Sequence, residues 1–120
     1  MAQSNPQKLG QLGEDQAAEF LVKIGYELLA RNVRSLLGEI DLLMKDGEEI
    51  VLVEVKTQTS GVWQDPLEQI GPAKQVKLRL LLREVAAHYP DQDVRVDAVR
   101  LYWSGEPKEL SITHLENILD

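Results

Sequence analysis

The sequence predicts an α/β domain with a mixed central sheet flanked by helices, and three observations support this. Two stretches carry apolar residues at helical spacing, and several shorter ones alternate or run apolar as strands do. These stretches follow one another as helix, three strands, helix, strand, with a short last strand as a tail, an order that interleaves the two kinds of element around one sheet. The chain has 120 residues, 43% hydrophobic and 28% charged, which provides for one core but not two, so residues 1–120 are read as a single domain.

The first helix runs from Gln7 to Ile24, with Leu9, Leu12, Ala17, Phe20, Leu21 and Ile24 forming its apolar stripe and Gly25 stopping it. At about 100° per residue the stripe centres near Gly13, Ala17 and Ile24. Asp15 and Glu19 then point away from it, while Glu14 falls at its edge and is expected half-buried.

Tyr26 to Arg34 reads as the first strand, Glu39 to Lys45 as the second and Glu49 to Lys56 as the third. Asp46-Gly47 is the expected two-residue turn of a hairpin joining the last two. Residues 57–73 show neither period and read as a long loop, with one helical turn around Pro66-Leu67-Glu68. Pro72 opens a second helix that runs to His88, with Val76, Leu80, Leu81 and Val85 expected on its inner side and Pro90 beyond its end. Val94 to Trp103 alternates as a fourth strand, Val94, Val96 and Ala98 against Arg95 and Asp97, and Leu110 to Thr113 is a short fifth.

The hairpin holds the residues that carry chemistry. With Asp46 and Gly47 as turn residues, Glu39 lies across from Glu54 and Asp41 across from Leu52. Glu39, Asp41, Glu54 and Lys56 then share one face, with Asp41 a diagonal neighbour of Glu54 at roughly 7–8 Å. Two carboxylates at that spacing can meet at one ion. A cation also relieves the repulsion that clustered carboxylates impose on one another. Hard oxygen ligands suit Mg²⁺ or Mn²⁺, which take one or two carboxylates and leave positions for water and phosphate oxygens. Lys56 would add a mobile ammonium beside such an ion, to position a nucleophile or screen developing charge. The residue types alone equally suit cross-strand salt pairs on a solvated hairpin. Against that reading, Glu54 and Lys56 continue the apolar run Ile50-Val51-Leu52-Val53, where stability alone favours more Val or Thr.

The composition excludes other classes. The chain has no cysteine, and its two histidines, His88 and His114, lie far apart and read as structural, so a zinc site does not fit. No signal peptide and no membrane-length apolar run is present, so a cytoplasmic protein with no membrane association is expected, folding alone or as a homodimer. The net charge of −7 is unevenly placed: residues 38–56 carry six acids against two bases, while residues 57–90 carry four bases against three acids.

These residues bring a resemblance into view. The chain resembles the YraN-like family of small bacterial proteins, placed in the PD-(D/E)XK superfamily with restriction endonucleases and archaeal Holliday junction resolvases. The likeness runs through Leu9-Gly10-Gln11-Leu12-Gly13-Glu14-Asp15-Gln16-Ala17-Ala18, Gly25-Tyr26, Ala30-Arg31-Asn32, Gly38-Glu39-Ile40-Asp41, Val53-Glu54-Val55-Lys56-Thr57 and Pro72-Ala73-Lys74-Gln75. Ile40 stands where the superfamily's name has proline. The resemblance implies an αβββαβ restriction-endonuclease-like core. It also implies Asp41 and Glu54 as metal ligands, Lys56 as the catalytic lysine, Glu14 as a helical acid reaching the same ion, and Glu39 in support.

Further candidates follow from residue type. Lys74, Lys77, Arg79 and Arg83 on the second helix either contact a phosphate backbone or form an ordinary solvated face. Trp63 in the long loop either stacks on a base or anchors packing. Two functions are therefore expected in competition. One is a Mg²⁺- or Mn²⁺-dependent endonuclease hydrolysing DNA, branched or junction DNA included by analogy with the resolvases. The other is a non-catalytic nucleic-acid-binding or protein-interaction module that keeps the nuclease fold, which the acidic balance favours.

Overall fold

The computed structural model describes residues 6–58, 71–105 and 109–119. Its elements are α1 (Pro6–Lys23), β1 (Glu27–Ser35), β2 (Gly38–Asp46), β3 (Glu49–Gln58), α2 (Pro72–His88), β4 (Val94–Ser104) and β5 (Glu109–Leu115). Both expected helices and all five expected strands are present among the described residues. The expected helical turn around Pro66 and the loop residue Trp63 lie outside the described residues.

The strands form one sheet in the order β1-β2-β3-β4-β5. All neighbours are antiparallel except β3 and β4, which are parallel because the chain between them passes through α2 and returns in the same direction. The sheet is therefore mixed, with a helix on each face. On one face Ala17 and Leu21 of α1 pack with Leu42, Met44, Val51, Val53, Val99 and Leu101. On the other, Leu78, Leu81 and Val85 of α2 pack with Leu43, Ile50, Leu52 and Val96. Strand β3 feeds both cores, which accounts for its unbroken apolar run.

Four core expectations change, the first at Leu12 of the α1 stripe, which is 46% exposed near the open end of the helix's apolar side. Ile24 is half exposed because α1 has already ended: Gly25, at φ +108°, folds the chain back so that the Tyr26 N–H donates to Leu21 O at 2.9 Å and Tyr26 takes the interior place. On α2 the inward line is Leu78, Leu81 and Val85, three and four residues apart, whereas Val76 and Leu80 lie off it and are exposed. On β4 the alternation marks no solvated side, since Arg95 through Leu101 are all buried.

The buried charges of β4 form a closed network. The Asp97 carboxylate, fully buried, accepts from Tyr26 Oη at 2.9 Å, Arg95 Nε at 3.0 Å and the Asn117 N–H at 3.0 Å, and lies 2.8 Å from His114 Nε2. Arg95 also reaches Tyr26 Oη at 2.6 Å, Asp46 Oδ2 at 3.0 Å and Glu49 Oε1 at 2.9 Å. Burial pushes the Asp97 carboxyl up, but the bonds from His114, Arg95, Asn117 and Tyr26 outweigh it and hold it down at about 2. This network ties the start of β1, the β2–β3 hairpin, β4 and β5 together.

Asp46 thereby leaves the turn. The observed register pairs Asp46 with Glu49 and Leu42 with Val53, so Gly47-Glu48 is the turn and the expected Asp46-Gly47 turn is corrected. Gly47, at φ +60°, takes the first central position, where a Gly-X hairpin turn places its glycine. The Asp46 carboxylate is engaged by Arg95 instead. Relative to the expected register, β3 slides by two residues along β2. A slide of two preserves which side each residue faces.

Candidate metal centre

Asp41 sits where the sheet forks. The β2–β3 ladder runs from Asp46↔Glu49 to Leu42↔Val53; past it β2 continues against β1, and β3 continues against β4 as far as Gln58. Extended by one rung, the register sets Asp41 across from Glu54. The Val55 N–H, which has no β2 carbonyl at the fork, donates instead to Asp41 Oδ2 at 2.8 Å.

A second irregularity lies beside Asp41 on the neighbouring strand. Asn32 of β1, between the pairs Arg31↔Leu42 and Val33↔Ile40 and so level with Asp41, has φ +51°, a left-handed conformation that asparagine tolerates better than most residues. Its neighbours Arg31 and Val33 pair with Leu42 and Ile40, but the alternation of sides breaks: Ala30 and Val33 both pack against the α2-side core, as do Ile40 and Leu43. With its amide oriented so that the NH₂ group faces the acids, Asn32 donates to Glu39 Oε1 and Glu14 Oε1, at 3.2 Å each.

The expectation that Glu39, Asp41, Glu54 and Lys56 share one face is corrected on this account. Glu39 shares Asn32 with Glu14 of α1, and Arg34 Nε lies 3.3 Å from its Oε2. Glu54 turns to the other helix, with Lys74 Nζ of α2 2.7 Å from Glu54 Oε1. The acids approach Asp41 from both helical layers. Glu14 is half-buried, as its helix-edge position predicts, with a side chain 15% exposed and Arg31 Nη2 3.7 Å away; Arg31 Nη1 is held at 2.7 Å by Asp15.

Burial pushes the Asp41 carboxyl up to about 7, against the pull of the Val55 N–H, and Glu54, Glu14 and Glu39 add to the rise in that order. Cations are present at the periphery, on Glu54, Glu14 and Glu39, but none pairs with Asp41 among the described residues. Among the described residues no three Asp, Glu, His or Cys side chains form a ready-made metal cage. A Mg²⁺ or Mn²⁺ ion does not require one, since it uses one or two carboxylates and keeps several waters. A half-buried carboxylate with one hydrogen-bonded oxygen and a second acid across the fork fits such an ion.

Lys56 is exposed on β3, two residues beyond Glu54 and in register with the buried Arg100 of β4, which hydrogen-bonds Gln58. Lys77, Arg79 and Arg83 are exposed on α2. Two features were missed from sequence: the Asn32 bridge, whose signal was an asparagine inside a strand pattern, and the engagement of Lys74 with Glu54, which spacing alone does not reveal.

Gly13 sets how close α1 comes. A Cβ built on it would lie 1.9 Å from Thr57 Oγ1 and 3.1 Å from Thr57 Cβ, so α1 approaches β3 through a glycine at the residue before Glu14. Gly13→Ala should push α1 off β3, lowering stability by about 1–3 kcal/mol in urea unfolding and moving Glu14 from the fork. A variant as stable as the parent would contradict this packing.

The chain matches, over residues 13–101, the profile described as Uncharacterised protein family UPF0102. A UPF0102 protein of Caldicellulosiruptor saccharolyticus is 38% identical over 115 residues, covering 94% of this chain and 98% of the relative. One from Clavibacter michiganensis is 42% identical over 105 residues, covering 84% and 89%. A solved structure described as an EndoMS-dsDNA2 complex aligns with a TM-score of 0.49 at 18% identity, over 80% of this chain and 36% of that chain.

Proposed function

The chain belongs to the UPF0102 family, the YraN-like family whose motifs it carries, and from that premise and the forked site we propose that it is a Mg²⁺- or Mn²⁺-dependent endonuclease acting on DNA. The observation that carries this reading is Asp41, a carboxylate set into the opening between β2 and β3 with Glu54 across from it and Lys56 two residues on.

In this reading Asp41 and Glu54 hold the ion and Glu14 flanks it from α1. A divalent cation there supplies neutralisation of the phosphodiester's charge and polarisation of its phosphorus–oxygen bond. The Val55 N–H fixes one oxygen of Asp41, leaving the other for the ion. Lys56 presents an exposed ammonium beside the site, placed to orient the attacking water or to meet charge on the phosphate as the bond breaks. Lys77, Arg79 and Arg83 of α2 are the proposed backbone contacts, each adding about 0.9 to the logarithmic salt slope of binding.

The test is incubation of the purified chain with linear, flapped and four-way DNA plus Mg²⁺ or Mn²⁺, beside Asp41→Ala and Lys56→Ala variants that remain folded. Cleavage should fall by about a hundredfold or more in each variant. Cleavage that survives both substitutions would place the chemistry elsewhere. The net charge of −7 favours a second reading, a non-catalytic module on the same fold. Salt-sensitive DNA binding without cleavage would select it.

A further inference from the structure

Lys74 occupies an unusual electrostatic position. It lies in the first turn of α2, at the positive end of the helix dipole, where a lysine is disfavoured and an acid preferred. That turn holds no acidic residue to compensate it. Its ammonium instead spans to the sheet and meets Glu54 Oε1 at 2.7 Å, with the Glu54 side chain 22% exposed and Lys74 46% exposed. Glu54 is thus neutralised by a movable side chain from the opposite layer, while Asp41 beside it has only the Val55 N–H among the described residues.

We propose that Lys74 is a built-in counter-ion for Glu54 that an arriving divalent cation displaces, and that the freed ammonium then serves as a phosphate contact. This rests on the reading of Asp41 and Glu54 as the ion's ligands. The Lys74 ammonium, 2.7 Å from Glu54 Oε1, places a positive charge beside the carboxylate that would hold the ion, and the two like charges repel and compete for it. A lysine suits the exchange: it is a compact charge on a four-carbon stem and can swing away without moving its helix. Lys74 therefore opposes the ion in the free protein and assists the substrate once the ion is bound, linking the two binding events.

Mn²⁺ binding to the metal-free full-length chain, read from the electron paramagnetic resonance of the free ion at constant pH, tests this apart from any turnover. Lys74→Met should bind Mn²⁺ about two- to fivefold more tightly than the parent, the range expected when a partly exposed ion pair no longer competes. Lys74→Arg, which keeps the charge, should not gain affinity. Asp41→Asn should lose the ion. Unchanged or weaker binding by Lys74→Met, with Asp41→Asn still deficient, would overturn the counter-ion role and leave the site standing. Asp41→Asn binding as well as the parent would overturn the site and this inference with it.

Discussion

Replacing Asp97 with alanine should lower the unfolding free energy by about 3–5 kcal/mol, because Arg95 is then left buried without its central partner. Urea unfolding at pH 7 measures it, and a loss under about 1 kcal/mol would mean that the network contributes little to the fold. Tyr26→Phe removes one donor to Asp97 and should cost about 1 kcal/mol. The same carboxylate sets an acid limit. Its folded value of about 2 lies below its ordinary 3.8, so the unfolded chain binds the proton more readily. The stabilisation is complete above pH 4 and is lost as pH falls toward 2, about 2 kcal/mol in all. Asp97→Asn should lose that part of the acid dependence.

Asp41→Asn should have opposite effects on stability and function. It removes a ligand of the proposed ion, so Mn²⁺ binding is lost and cleavage falls by about a hundredfold or more. Without metal it should stabilise the protein at pH 8. The Asp41 carboxyl is raised in the folded state from 3.8 to about 7, so the folded protein binds the proton more tightly than the unfolded chain. Its favourable share is therefore complete below pH 4, declines as pH rises and is gone above pH 7. After allowance for partial solvent contact the span is about 2 kcal/mol. Thermal melts in chelator from pH 4 to 8 should show that decline in the parent and not in Asp41→Asn, whose amide oxygen can still accept from Val55. Equal slopes would remove burial of an uncompensated charge as the site's defining feature.

The sequence displayed most of the fold and only part of the site. Helical and strand periods locate α1, α2 and all five strands, because each element buries one side or is wholly apolar. Glu14 was placed at a helix edge by angle alone, and it is half-buried there. The hairpin register was misjudged by two because the turn depends on Asp46, whose carboxylate is taken by Arg95 of β4, a partner 49 residues away. The common face of the four polar residues was misjudged because strict alternation cannot anticipate the break of sides in β1 and β2 beside Asn32, at φ +51°. Arg95 and Asp97 looked like an outward side, since in sequence a buried ion network and a solvated strand alternate alike. Long-range pairing decides the first and the third, and a local break in the strand the second.

The proposed reaction depends on a divalent cation bound in the β2–β3 fork. Anomalous scattering from crystals of the full chain soaked in Mn²⁺ locates the ion directly. A peak is expected within bonding distance of Asp41 and Glu54, about 2.0–2.3 Å from a carboxylate oxygen of each, with Lys74 moved off Glu54. Ordered Mn²⁺ elsewhere on the molecule, with the Lys74–Glu54 contact intact and the fork empty, would contradict it.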